Sequence, residues 1–179
     1  MKKIIIVIAL IVVGLLGVLV FNTLMLTSKQ VLSEKLDEIE ISDDIFQNLS
    51  NGLKYRTISY GEDISPDSAA FYGFHSFLEE TFPLIHSNLT LEKINDLSLL
   101  YTWKGADSSQ KPLILMSHQD VVPVDKPTLG DWEAGPFAGE ITDTHIIGRG
   151  SMDDKGTLIG LMEAVEKLLE ESFVPEQTI

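Results

Sequence analysis

One uninterrupted apolar run, residues 4–26, constrains this chain more than any other feature. Only Gly14, Gly17, Asn22 and Thr23 soften it, and Lys2 and Lys3 precede it. At 1.5 Å per residue, about 20 helical residues cross the roughly 30 Å hydrocarbon core of a bilayer. A segment apolar on every face has no polar stripe to turn toward water. A signal peptide shares the basic start, but its apolar core spans about 7–15 residues and ends at a small-x-small site. Asn22, Thr23, Leu24, Met25 and Leu26 offer no such site. The run therefore reads as one uncleaved transmembrane helix, with a secreted product as the alternative. The two flanking lysines favour a cytoplasmic N-terminus and an extracytoplasmic remainder.

Beyond the run, residues 27–179 carry 11 basic and 27 acidic side chains, a net charge of −16. A surface that acidic repels phosphate backbones, which argues against a nucleic-acid partner. The chain has no cysteine, and this excludes disulfides, thiolate-bound zinc, iron–sulfur clusters and a cysteine nucleophile. With 44% hydrophobic and 22% charged residues, the composition is that of a folded domain. About 150 residues suffice to bury a core.

Residues 27–41 are polar and of mixed charge, a linker or stalk, and residues 42–179 form the domain. Ser42, Asp43 and Asp44 cap an apolar series at helical spacing, Ile45, Phe46, Leu49 and Leu53. A second helix follows Pro66, with Phe71, Phe74, Phe77, Leu78 and Phe82 on one stripe, and ends at Pro83. Residues 97–103 read as a strand. The short apolar run Leu113, Ile114, Leu115 and Met116 reads as a strand buried on both faces. Residues 139–142 and 145–148 suit a hairpin. From Thr157 the positions Leu158, Leu161, Met162, Val165, Leu168 and Leu169 make one face of a helix, with Glu163, Glu166, Lys167, Glu170 and Glu171 toward water. Strands alternating with helices predict an α/β layered sheet with flanking helices.

Two clusters carry chemistry. The predicted strand 113–116 runs into Ser117, His118, Gln119 and Asp120. Carboxyl ends of buried strands are where α/β folds place working residues. On an extended chain His118 and Asp120 face the same way, so Asp120 can hold one ring nitrogen and present the other to a metal. A chance His-x-Asp triplet is the rival reading. The second cluster is Gly148-Arg149-Gly150-Ser151-Met152-Asp153-Asp154-Lys155-Gly156, two carboxylates among glycines before a helix. It fits a bridging metal ligand, and equally an ordinary capped loop. Oxygen and imidazole donors without thiolate suit zinc, cobalt or manganese.

Residues 115–124, then Trp132, the stretch Pro136-Phe137-Ala138-Gly139, and residues 148–156 together resemble the zinc exopeptidase family of carboxypeptidase S and aminoacylase. The nearest branch holds membrane-anchored or secreted N-acyl-amino-acid hydrolases, and the similarity runs from about Ser42 to Ile179. The resemblance implies His118 as a ligand of one of two zinc ions and Asp153 as the carboxylate bridging both. Asp120 becomes the catalytic partner of His118, and Asp154 follows Asp153 across a cis peptide bond. Arg149 and Lys155 match the motif as loop-shaping residues.

The family continues with a strand, a Glu-Glu pair serving as general base and metal ligand, a further acidic ligand, a distant histidine and an inserted dimerisation domain. None of these falls within the 179 residues, so the chain is expected to be an N-terminal portion that is inactive alone. Neither Glu79-Glu80 nor Glu170-Glu171 offers a substitute pair. The expected activity of the whole is metal-dependent hydrolysis of peptides or N-acyl amino acids. The alternative is a non-catalytic, membrane-anchored binding module. Trp132 and Phe137 either line the substrate cleft or pack their loop. His75, His86 and His145 read as partly exposed structural residues. Asn48 and Asn88 each begin a glycosylation sequon.

Overall fold

The computed structural model describes residues 2–30, 41–61 and 64–179. They fall in two compact units, Met1–Ile39 and Glu40–Ile179. In the first, α1 (Lys2–Met25) occupies the apolar run. Its 24 residues are about 36 Å long, and the helix is long and apolar enough to cross a membrane. Residues 26–30 are irregular, and residues 31–40 of the expected stalk lie outside the described residues.

In the second unit, among the described residues, there are four α-helices, and in the first two a capping side chain and an apolar stripe agree. The Ser42 hydroxyl accepts the Asp44 amide at 3.3 Å and starts α2 (Asp43–Leu53), as N-cap hydroxyls do. The Asp67 carboxylate accepts the Ala69 amide at 3.1 Å and starts α3 (Ser68–Thr81). Pro83, which ends the aromatic stripe, also opens a helix that the sequence pattern does not predict, α4 (Pro83–Asn88), since proline suits a first helical turn. Two amides of that turn, which have no partner within the helix, go to one carboxylate. Leu84 N donates to Glu166 Oε1 at 2.8 Å and Ile85 N to Oε2 at 2.9 Å. Glu166 therefore caps α4 and is half-buried against it, a correction to the periodicity reading. Glu163 is corrected likewise, since Asn48 Nδ2 donates to it at 2.7 Å. The last helix, α5 (Lys155–Glu170), starts two residues ahead of the predicted Thr157.

Phe74, Phe77, Leu78, Phe82, Ile85, Ile159 and Met162 form the core between α3, α4 and α5. Leu49 of α2 and Tyr55 pack against it. Phe74 is fully buried, and such a side chain is worth about 3–5 kcal/mol against alanine.

The strand content departs from expectation. Strand β2 (Ser98–Thr102) lies within the predicted 97–103, but it pairs antiparallel with an unpredicted β1 (Thr90–Ile94). Asn95 and Asp96 between them have φ of 49° and 66°, a conformation these two residue types tolerate. The predicted second hairpin is present as β3 (Glu140–Ile141) and β4 (Ile146–Ile147). Gly139, at φ 62°, leads into it, and a side chain there would collide with the Ser50 carbonyl.

Among the described residues these are two separate two-stranded sheets, not the single layered sheet expected. The run 113–116 is the main correction. It is neither strand nor buried: Leu113, Ile114, Leu115 and Met116 are 42%, 73%, 47% and 82% exposed. An apolar run becomes a buried strand only with neighbours on both edges. Here one ladder contact is formed, Leu113 N to Thr178 O at 2.9 Å. The same terminal segment exchanges bonds with Trp103, N to Ile179 O at 2.8 Å and O from Ile179 N at 3.0 Å. Residues 178–179 thus sit between the end of β2 and the start of the exposed run.

Candidate metal centre

After the exposed run the chain continues without regular structure through Ser117, His118, Gln119 and Asp120 and is pinned at Val121. Val121 N donates to Thr57 O at 2.9 Å, Ser59 N donates to Val121 O at 3.0 Å, and Ile58 bridges Val121 in parallel. The glycine-rich loop passes beside this point. Gly150 has φ 92°, and a Cβ there would come within 2.7 Å of Val121 Cγ1. Only glycine lets the two segments approach so closely.

The loop is fixed from its far end by Lys155, the first residue of α5. Its ammonium donates to the carbonyls of Gly52 at 3.0 Å and Tyr55 at 2.7 Å. It also lies 4.6 Å from the Phe74 ring centre, within cation–π reach. The side chain is fully buried, and burial pushes its pKa down to about 7, because the charged form loses its hydration. This cation closes the carboxyl end of α2, where helix carbonyls lack partners.

The two loops then meet. His118 Nε2 lies 2.8 Å from Asp153 Oδ1. On the other side of the ring, Nδ1 lies 3.0 Å from the Asp120 carbonyl and 3.3 Å from Asp120 Oδ1. Asp120 therefore holds the ring by its backbone oxygen at least as closely as by its carboxylate. One residue away, the Ser117 hydroxyl donates to Asp154 Oδ2 at 2.7 Å. The peptide bond joining Asp153 to Asp154 is cis.

The electrostatics follow. Burial alone would depress His118, but hydrogen bonds to Asp153 and Asp120, with the charges of both carboxylates, outweigh it and leave its pKa raised. Hydrogen bonds from Thr157 and Ser117 hold the Asp154 carboxyl below the usual range. Asp153 is the exposed member, its side chain 89% accessible.

The remaining sequence candidates are placed as follows. Trp132 is half-buried under the Arg149 guanidinium, 5.2 Å from the ring centre, and Phe137 lies under that of Arg56 at 5.0 Å. Each ring is thus covered by an arginine from another segment of the chain. His75 is 7% exposed, which corrects the expectation of partial exposure. Its Nε2 bonds Gln119 Oε1 at 2.8 Å. His86 is half-buried and accepts from the Tyr101 hydroxyl at 3.0 Å, and His145 lies in the β3–β4 turn. Reading by motif missed Ser117, Gln119 and Thr57, whose roles depend on contacts across 37, 44 and 62 residues.

The donor set suits a hard or borderline cation. Two donors of one zinc, each about 2.1 Å from it at a tetrahedral angle, stand about 3.4 Å apart. The His118–Asp153 separation of 2.8 Å reaches that spacing by a small outward shift on each side. Among the described residues no group of three or more His, Asp or Glu is arranged to hold a metal ion, so these two would form part of a site.

Residues 114–179 match the model of the peptidase family M20/M25/M40. A probable carboxypeptidase S-like 2 of Dictyostelium discoideum is 44% identical over 176 residues, covering 93% of this chain and 34% of its own length. Carboxypeptidase S of Saccharomyces cerevisiae is 44% identical over 151 residues, 78% of this chain and 26% of that protein. The human N-fatty-acyl-amino acid synthase/hydrolase PM20D1 is 33% identical, covering 73% and 26%. Among solved structures, an M20 family metallo-carboxypeptidase of Sulfolobus solfataricus superposes with a TM-score of 0.55 at 28% identity, over 73% of this chain and 28% of that one. Human carnosine dipeptidase 1, at 17% identity and a TM-score of 0.57 over 76% and 30%, shows the fold alone. The chain spans about a third or less of the length of these relatives. Its motifs, its fold and its relatives agree: residues 114–179 carry a peptidase M20/M25/M40 domain, and the chain is similar to carboxypeptidase S and to N-fatty-acyl-amino acid synthase/hydrolases.

Proposed function

We propose that this chain is the N-terminal part of a membrane-anchored, zinc-dependent hydrolase of amide bonds, acting on peptides or N-acyl amino acids with a free carboxylate. Residues 1–26 serve as anchor, residues 27–41 as linker, and residues 42–179 as the first part of the catalytic domain. The N-terminus is cytoplasmic and the catalytic part extracytoplasmic. The observation that carries this reading is the convergence of His118 Nε2 and Asp153 Oδ1 at 2.8 Å, with Asp120 behind the ring.

His118 and Asp153 would hold zinc, one ion or two as the resemblance implies, which when bound would supply Lewis-acid chemistry to the scissile carbonyl. Cobalt or manganese suits the same donors. His118 offers Nε2 once its proton leaves, Asp120 keeps Nδ1 protonated, and Asp153 offers a carboxylate with two oxygens. The Ser117–Asp154 bond keeps the two loops together whether or not the ligands are loaded. The general base, the remaining ligands and any dimerisation domain belong to polypeptide beyond Ile179. The exposed run 113–116, with residues 178–179 lying between it and β2, supports a continuation there as a strand.

The test is an assay of the protein encoded by the uninterrupted gene. Hydrolysis of N-acyl amino acids or carboxyl-terminal dipeptides is expected, lost on chelation and reduced by about 100-fold or more by His118→Ala or Asp153→Asn. A folded full-length product that binds such ligands without turnover would favour the binding-module reading.

A further inference from the structure

We infer that Gln119, locked by His75, is the positioning residue that sets His118 and Asp120 toward the metal. This rests on reading His118 and Asp153 as ligands. On an extended chain the side chain at 119 points opposite to those at 118 and 120. Gln119 is therefore the inward anchor of an outward-facing pair, and each of its polar groups but the main-chain amide is tied to a different segment. Its backbone carbonyl accepts the Thr57 hydroxyl at 2.6 Å. Its Nε2 donates to the Leu97 carbonyl at the head of β2, and its Oε1 lies 2.8 Å from His75 Nε2 on α3.

The chemistry of these contacts is determined. A carbonyl such as that of Leu97 only accepts, so the NH₂ end of Gln119 faces Leu97 and the oxygen faces His75. His75 must then carry its proton on Nε2. Its Nδ1 is buried with no hydrogen-bond partner among the described residues. The residue is buried and burial lowers its pKa, so the ring is held neutral as a donor. Thr57, fully buried, completes the anchorage. A histidine buried with one nitrogen unpaired costs stability, yet it supplies the donor that holds the Gln119 oxygen in the orientation Leu97 sets. With Gln119 fixed on three sides, the backbone at 118 and 120 cannot rotate, and the His118 ring stays aimed at Asp153.

The test uses the full chain in detergent, labelled with ¹⁵N, and reads the His118 ring resonances without metal and Co²⁺ binding at that ring. Gln119→Leu and His75→Ala are expected to shift the metal-free His118 ring signals and to weaken Co²⁺ binding about 10-fold, the lower range for supporting contacts. The double variant is expected to be no worse than either single one, because both break one chain of contacts. His75→Gln, which keeps an N–H donor at similar reach, is expected to stay near wild type. Phe173→Ala, which removes a ring packed on Trp103, is the control for general destabilisation and should leave the His118 signals in place. Gln119→Asn, one methylene too short for both partners, replaces Gln119→Leu if that variant does not fold. Unchanged His118 signals in folded Gln119 and His75 variants would overturn the inference, as would His75→Gln behaving like His75→Ala. Wild-type protein that binds no Co²⁺ at His118 would overturn the metal reading alone, since the metal-free signals still report the positioning.

Discussion

His118 and Asp153 stand 35 residues apart in sequence, and their side chains meet at 2.8 Å. The neighbouring pair, Ser117 and Asp154, is bonded as well, at 2.7 Å. Two successive contacts of this kind define a junction between loops, whereas a single one could be a surface ion pair. The junction is assembled from behind: Lys155 fixes one loop against α2, and Gln119 fixes the other against α3 and β2.

Lys155 is the more consequential of these supports for stability. Lys155→Ala would strand the Gly52 and Tyr55 carbonyls beneath the core and remove the cation over Phe74. Hydrogen bonds to a charged group are worth about 1.5–3 kcal/mol each. A loss of about 3 kcal/mol or more is expected in urea denaturation followed by far-ultraviolet circular dichroism. A loss under about 1 kcal/mol, closer to ordinary surface changes, would mean that the ammonium is not the tie described.

Glu166→Ala should cost about 1 kcal/mol, the usual value of a helix N-terminal cap. Its carboxylate is the partner of both Leu84 and Ile85 amides. Faster hydrogen exchange confined to those amides and the rest of α4 would show the effect to be local. Exchange rates there equal to wild type would contradict the assignment.

His75 gives a pH dependence of defined sign. Its pKa is lowered, by burial first, below the ordinary 6.5. Proton uptake is then stronger in the unfolded chain, so its contribution to stability is present above the ordinary value and is lost as the pH falls through the folded one. His118, whose pKa is raised, acts in the opposite sense. The diagnostic is therefore a difference: wild type should lose more stability than His75→Gln between pH 7.5 and pH 5. Equal losses would show that His75 is not held neutral.

Helices α1, α2, α3 and α5 were legible because their signals are local. Ser42 and Asp67 are capping residues in the structure, Ser42 as its sequence position predicts, and the stripe from Phe71 to Phe82 is the core face of α3 and its end. Both chemical clusters were legible as well, one by its strand-like run and the other by its glycines. What failed depended on partners. Residues 113–116 have the composition of a buried strand, but composition does not supply the flanking strands, and the run is exposed. Residues 90–94, Thr-Leu-Glu-Lys-Ile, carry two charges and give no strand signal, and they form one by pairing with β2. Glu166 sits on the polar face of α5 by periodicity, and only the unpredicted α4 turns it into a cap. The meeting of His118 with Asp153 follows from no spacing rule, and the order of motifs shared with a family anticipated it.

Anomalous diffraction at the zinc edge, on crystals of the full-length protein loaded with zinc, tests the metal-centre assignment most directly. A peak is expected within about 2.0–2.2 Å of both His118 Nε2 and an Asp153 carboxylate oxygen, with Nδ1 of the same ring still on Asp120. Zinc bound elsewhere, with His118 and Asp153 remaining in direct contact with each other, would contradict it.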